Sequence, residues 1–84
     1  MNARTQFSID TMRRIEALDF GGYLMVTADA DSFRSHGAFL AAVRSLASQV
    51  TRKSGRTARF LTRNQTFHGG IYGSFVYRLP EGIS

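Results

Sequence analysis

The chain is expected to fold as an α+β protein of two layers. A three-stranded, mostly antiparallel sheet would carry one long helix on one face and a short N-terminal helix, in the order α-β-α-β-β. Three features predict it. Residues 35–53 hold a helical stripe of Phe39, Leu40, Val43, Leu46, Ala47 and Val50. Residues 56–64 and 71–79 alternate with period two on either side of a turn containing Gly69-Gly70. Residues 23–28 form a short apolar run of strand length.

Taken in order, residues 9–18 predict a short helix, with Ser8 or Asp10 as its cap and Met12, Ile15 and Leu18 on one side. Gly21-Gly22 ends it. Tyr23-Leu24-Met25-Val26-Thr27-Ala28 is apolar in both alternating sets, which predicts a central strand covered on both faces. Asp29-Ala30-Asp31-Ser32 reads as a turn, and Ser32 or Ser35 as the cap of the long helix. Arg52 and Lys53 fill the last helical turn, where they favour the negative end of the helix dipole, and Gly55 is the expected stop.

The two later strands raise the question of faces. In residues 56–64 one set is Ala58, Phe60 and Thr62 and the other Thr57, Arg59, Leu61 and Arg63. In residues 71–79 Ile71, Gly73, Phe75, Tyr77 and Leu79 alternate with Tyr72, Ser74, Val76 and Arg78. The helix stripe is expected to pack on Phe60, Phe75, Tyr77 and part of the 23–28 strand. The second face then presents Arg59, Leu61, Arg63, Tyr72, Val76 and Arg78. Such a mixed face needs a cover, either the N-terminal helix or a partner.

Length and composition bound the rest. Eighty-four residues make one domain, 1–84, and bury only about 60% of the surface the unfolded chain exposes. Hydrophobic residues at 43% and charged residues at 20% are globular composition, so wholesale disorder is not expected. There is no cysteine, hence no disulfide and no thiolate chemistry, as suits a reducing compartment. The longest apolar run, Ala38 to Val43, is far short of a membrane span, and the opening residues lack the apolar stretch of a secretory leader. A cytoplasmic chain without membrane contact is expected.

The formal net charge is +5, and its distribution is uneven. Residues 1–31 set Arg4, Arg13 and Arg14 against Asp10, Glu16, Asp19, Asp29 and Asp31. From Ser32 to Pro80 there is no acidic residue, while Arg34, Arg44, Arg52, Lys53, Arg56, Arg59, Arg63 and Arg78 are all basic. Ten of the eleven basic residues are Arg, whose planar fork suits phosphate and carboxylate and stacks on aromatic rings. An Arg-biased solubilising surface would look the same in sequence. Contact with an anionic partner, a phosphate backbone or an acidic protein face, is the functional alternative.

No catalytic constellation stands out, and neither a cofactor nor a metal is expected. The chain has two histidines, His36 and His68; the latter is expected at a solvent-facing hairpin tip. Asp29 and Asp31 suggest a helix-capping turn, since an EF-hand needs a longer ligand series and a terminal Glu. Asp31, Ser32, Ser35 and His36 are neighbours in sequence, which is not how a triad is assembled. Gly21-Gly22 follows a helix, whereas a phosphate loop follows a strand and opens a helix.

The binding surface is the informative part. Residues 52–63 hold five cations, Arg52, Lys53, Arg56, Arg59 and Arg63. With Arg78 and Tyr72 assigned to the same face, charge and an aromatic plate would suit single-stranded DNA or RNA. Leu61, Val76 and Tyr72 ringed by Arg equally have the composition of a protein interface core. A monomer and a two-fold homodimer both remain open, and an exposed strand edge adds strand addition as a route.

The helix-Gly-Gly-strand opening from Ile15 to Val26 is followed by the Arg59-Phe60-Leu61-Thr62-Arg63 strand, then by Gly69-Gly70-Ile71 and Val76-Tyr77-Arg78. In this general style the chain resembles small accessory proteins encoded by phages and mobile elements, among them anti-CRISPR inhibitors. The resemblance implies a non-enzymatic inhibitor whose basic face docks on an acidic surface of a CRISPR effector subunit. It assigns no individual residue. Many such inhibitors imitate DNA with acidic surfaces and this chain is basic, so the implied mechanism is steric blockage rather than mimicry of phosphate.

Overall fold

A computed structural model describes residues 3–66 and 69–80. The elements are α1 (Ala3–Glu16), β1 (Tyr23–Asp29), a single 3-10 turn (Ala30–Ser32), α2 (His36–Lys53), β2 (Phe60–Thr66) and β3 (Ile71–Arg78). The order α-β-α-β-β is the expected one, and the fold is α+β. The sheet runs β1-β3-β2 and both ladders are antiparallel. This is a split β-α-β arrangement, with β3 inserted between the two strands that α2 connects.

Helix α1 begins well before the expected start at residue 9. Neither proposed cap is used as one: Ser8 Oγ donates to the Arg4 carbonyl at 3.1 Å, and Asp10 accepts from Gln6 Nε2 at 2.9 Å, both inside the helix. The earlier turns bring Phe7 edge-on to Phe33 with ring centroids 5.3 Å apart. Helix α2 starts as expected, with Ser35 Oγ accepting from the Ala38 N–H at 3.1 Å. Its exit uses two consecutive left-handed residues, Gly55 (φ 69°) and Arg56 (φ 70°). The segment after β1 does turn, but Asp29 makes no side-chain cap bond. Gly69 and Gly70 have the positive φ the hairpin requires, 78° and 74°. His68 lies outside the described residues.

Both helices share one layer. Helix α2 lies over β2 and β3, while α1 packs beside α2 and against β1. Ile15, Val26, Phe39, Val43, Leu46, Val50 and Val76 form the core between helices and sheet. The N-terminal helix therefore covers the same sheet face as the long helix, and among the described residues the opposite face carries no helix.

The ladders fix which side chains share a face. Rows on the helix side are Leu24–Val76–Thr62 and Val26–Ser74–Asn64, flanked by Ala28–Tyr72 and Arg78–Phe60. Rows on the other side are Tyr23–Tyr77–Leu61 and Met25–Phe75–Arg63, followed by Thr27–Gly73–Gln65. This corrects the sequence expectation at β3, whose faces are inverted. Tyr72, Val76 and Arg78 point to the helices; Phe75 and Tyr77 point away. Small and β-branched side chains in the central rows let α2 approach the sheet closely, where the rings of Phe75 and Tyr77 would hold it off. A second correction concerns β1. It is an edge strand, not a central one, and Tyr23 on its outer face is 66% exposed.

Candidate binding face

The open sheet face is built from the bulky rows. Tyr23 meets Phe75 edge-on at 5.9 Å, across the diagonal of the β1–β3 pairing. Tyr23, Leu61, Arg63, Phe75 and Tyr77 line a shallow depression of about 300 Å³. Leu61 is 45% exposed in it, and Ile71 continues the apolar surface at the far end of β3. Arg63 is the guanidinium of this depression, and Asp29 stands opposite Ile71.

Of the residues singled out in sequence, Leu61 and Arg63 lie on this face. Arg59 stands exposed just before β2, its carbonyl accepting from the Leu79 N–H at 2.8 Å. Arg52, Lys53 and Arg56 cluster at the exit of α2, away from the face. Lys53 Nζ reaches Glu16 Oε1 at 3.5 Å in an exposed pair that contributes little stability. Arg56 is exposed with a left-handed backbone set by the helix exit.

The three residues of the inverted strand have structural surroundings. Val76 is fully buried. Tyr72 stacks on His36, centroids 4.9 Å apart and planes 24° from parallel, and the pair continues to Phe39. The Arg78 guanidinium lies 4.3 Å over the Phe20 ring and donates from Nη1 to the Leu18 carbonyl at 2.6 Å. An Arg at the end of a core-facing row is tolerated because its stem packs while its head finds an acceptor and a ring.

Tyr23, Met25, Phe75 and Tyr77 were missed as residues of this face. Their signal was present, since the more aromatic alternating set of β3 was visible in sequence. Hydrophobicity assigned that set to the core, and nothing in a single strand's alternation distinguishes a core face from a partner face. Arg44 was also overlooked. It sits off the α2 stripe beside β2, lining hollows shared with Thr62.

Among the described residues no three His, Asp or Glu side chains come together as a metal site. No helix among them is long and apolar enough to cross a membrane. No protein-family model matches the chain, and neither a curated protein nor a solved structure does.

Proposed function

We propose that the chain is a non-enzymatic binding protein that holds a protein partner on its open sheet face. We further propose that it acts as the phage-protein resemblance implies, by obstructing a nucleic-acid-targeting complex through an acidic surface of one of its subunits. The observation carrying the reading is the open-face cluster of exposed Tyr23 and Leu61 with half-buried Phe75 and Tyr77, and one guanidinium, Arg63, among them. Aromatic residues and Arg are favoured at interface cores, and the apolar centre gives a partner surface to desolvate.

Direct nucleic-acid binding is the second reading, favoured by the same rings as stacking plates on a sheet. The withdrawal of Arg78 into the loop beside Leu18 weakens it, because fewer cations remain to follow a phosphate backbone.

Fluorescence anisotropy of labelled single- and double-stranded oligonucleotides at about 50 and 200 mM salt separates the two. The protein-partner reading expects no sub-micromolar binding at either concentration. Tight binding that falls roughly 10³-fold across that range would establish the nucleic-acid module instead. The inhibitor role is tested by adding the protein to purified CRISPR effector cleavage reactions. Inhibition by the parent chain and its loss in Leu61→Asp is the expected result; cleavage unaffected by the parent chain removes that role.

A further inference from the structure

The outer edge of β2 is a second surface that adjoins the open face and shares Leu61 and Arg63 with it. Its backbone polarity follows from two hydrogen bonds and the register. The Arg59 carbonyl accepts from Leu79 N–H, the Arg63 carbonyl accepts from Ser74 Oγ at 3.0 Å, and Arg63 is paired with Phe75. Residues 59, 61, 63 and 65 therefore turn their N–H and C=O groups toward β3. By the alternation of a strand, Phe60, Thr62 and Asn64 turn theirs outward, away from any other strand.

The opposite edge of the sheet has one outward group partnered by a helix. On β1 the outward carbonyl of Met25 accepts from Arg14 Nη2 at 3.4 Å, so α1 supplies it a partner. The β2 edge instead runs beside two hollows of about 340 and 260 Å³ between the strand and α2. Arg44 lines both, with Thr62; Arg63 lines the second and also reaches the open face. A strand added here would send alternate side chains toward Arg44 in the hollows and toward Arg63 on the open side. The chain has no acidic residue between Ser32 and Pro80 to compete for these cations.

From this geometry we infer that the β2 edge captures an extended acidic segment of a protein partner by strand addition. The outward groups of Phe60, Thr62 and Asn64 bond its backbone, and Arg44 and Arg63 pair with its carboxylates. This does not rest on the open-face reading. A partner can use either surface or both.

The test is amide hydrogen exchange of the full chain, followed by NMR, with the probe peptide acetyl-Val-Thr-Glu-Glu-Thr-Val-amide, whose adjacent carboxylates point to opposite faces of a strand. In the free protein the amides of Thr62 and Asn64 should exchange fast and those of Leu61 and Arg63 slowly. Saturating peptide is expected to slow Thr62 and Asn64 at least about tenfold. The same peptide with lysine in place of glutamate should not do so, and Arg44→Glu should weaken the effect. Thr62→Pro should abolish it, because that N–H serves no internal bond and proline is tolerated at an outward edge position. Unchanged exchange at both amides, or equal protection by the lysine peptide, overturns the proposal. So does protection already present in the free protein that rises with its concentration, which would make a second copy the occupant. Tyr23→Ser, on the open face but on the opposite edge strand, leaves this protection intact while weakening open-face binding, so the two surfaces fail separately.

Discussion

Arg78 donates from Nη1 to the carbonyl of Leu18 at 2.6 Å, tying the end of β3 to the turn that leaves α1. The backbones agree with the side chain: Gly21 N–H donates to the Arg78 carbonyl and Arg78 N–H to the Gly22 carbonyl, at 2.9 and 2.8 Å. One residue thus anchors the connection between helix layer and sheet, with Phe20 laid under its guanidinium.

Replacing that anchor should be felt in stability. Arg78→Met keeps the stem and loses the charged hydrogen bond and the cation–π contact, lowering unfolding free energy by about 2 kcal/mol. Arg63→Met, on the open face, should stay within about 0.5 kcal/mol. Urea denaturation of the two variants measures the contrast. Equal midpoints would show that Arg78 is an ordinary surface residue.

Val76 and Leu61 looked equivalent in sequence as centres of one interface, and the structure separates them. Val76→Ala should destabilise by roughly 1–3 kcal/mol, because it opens a void between β3 and the helices. Leu61→Asp should leave the urea midpoint nearly unchanged, since the side chain already faces water. A fall in stability for Leu61→Asp comparable to that of Val76→Ala would mean the open face is packed.

The start of α2 rests on one side chain. Ser35→Ala leaves the Ala38 N–H without its capping acceptor and should cost about 1 kcal/mol. Ser35→Gly should cost only a few tenths. Thermal unfolding followed by far-UV circular dichroism reads the difference.

Ser74 is fully buried in the middle strand with its hydroxyl on the Arg63 carbonyl. Ser74→Ala is expected to cost about 1 kcal/mol for the lost bond. Ser74→Leu should cost more, about 1–3 kcal/mol, because it forces a larger side chain under α2. Were Ser74→Leu the more stable of the two, the small central row would not be what admits the helix.

The element order and the α2 cap were legible in sequence because each rests on local chemistry: a helical stripe, a serine acceptor, paired glycines at a turn. The choice of face at β3 was not. Ile71, Phe75 and Tyr77 outweigh Tyr72, Ser74 and Arg78 in hydrophobicity, yet the helices select the second set. That set has a small centre and ends that find partners, Tyr72 on His36 and Arg78 on Leu18. Those partners lie far away in sequence, so no reading of the strand by itself contains them. The start of α1 was missed for a related reason. Phe7 is worth ordering only because Phe33 and Phe39 wait for it. At the candidate face, Leu61 and Arg63 were legible from the alternation of β2, and the rings beside them followed once β3 was turned over.

Strands β1 and β2 do not touch each other; every ladder bond of the sheet belongs to β3. A chain that stops short of Ile71 therefore has two strands with nothing to join them, and a helix pair with no floor. Closing the sheet means bringing Tyr23 to Tyr77 and Phe60 to Arg78, one a distant contact and the other a nearer one. The hairpin of β2 and β3 offers the shorter loop closure, and β1 then docks at greater entropic cost. On loop-closure grounds alone, β1 is then the last strand to arrive.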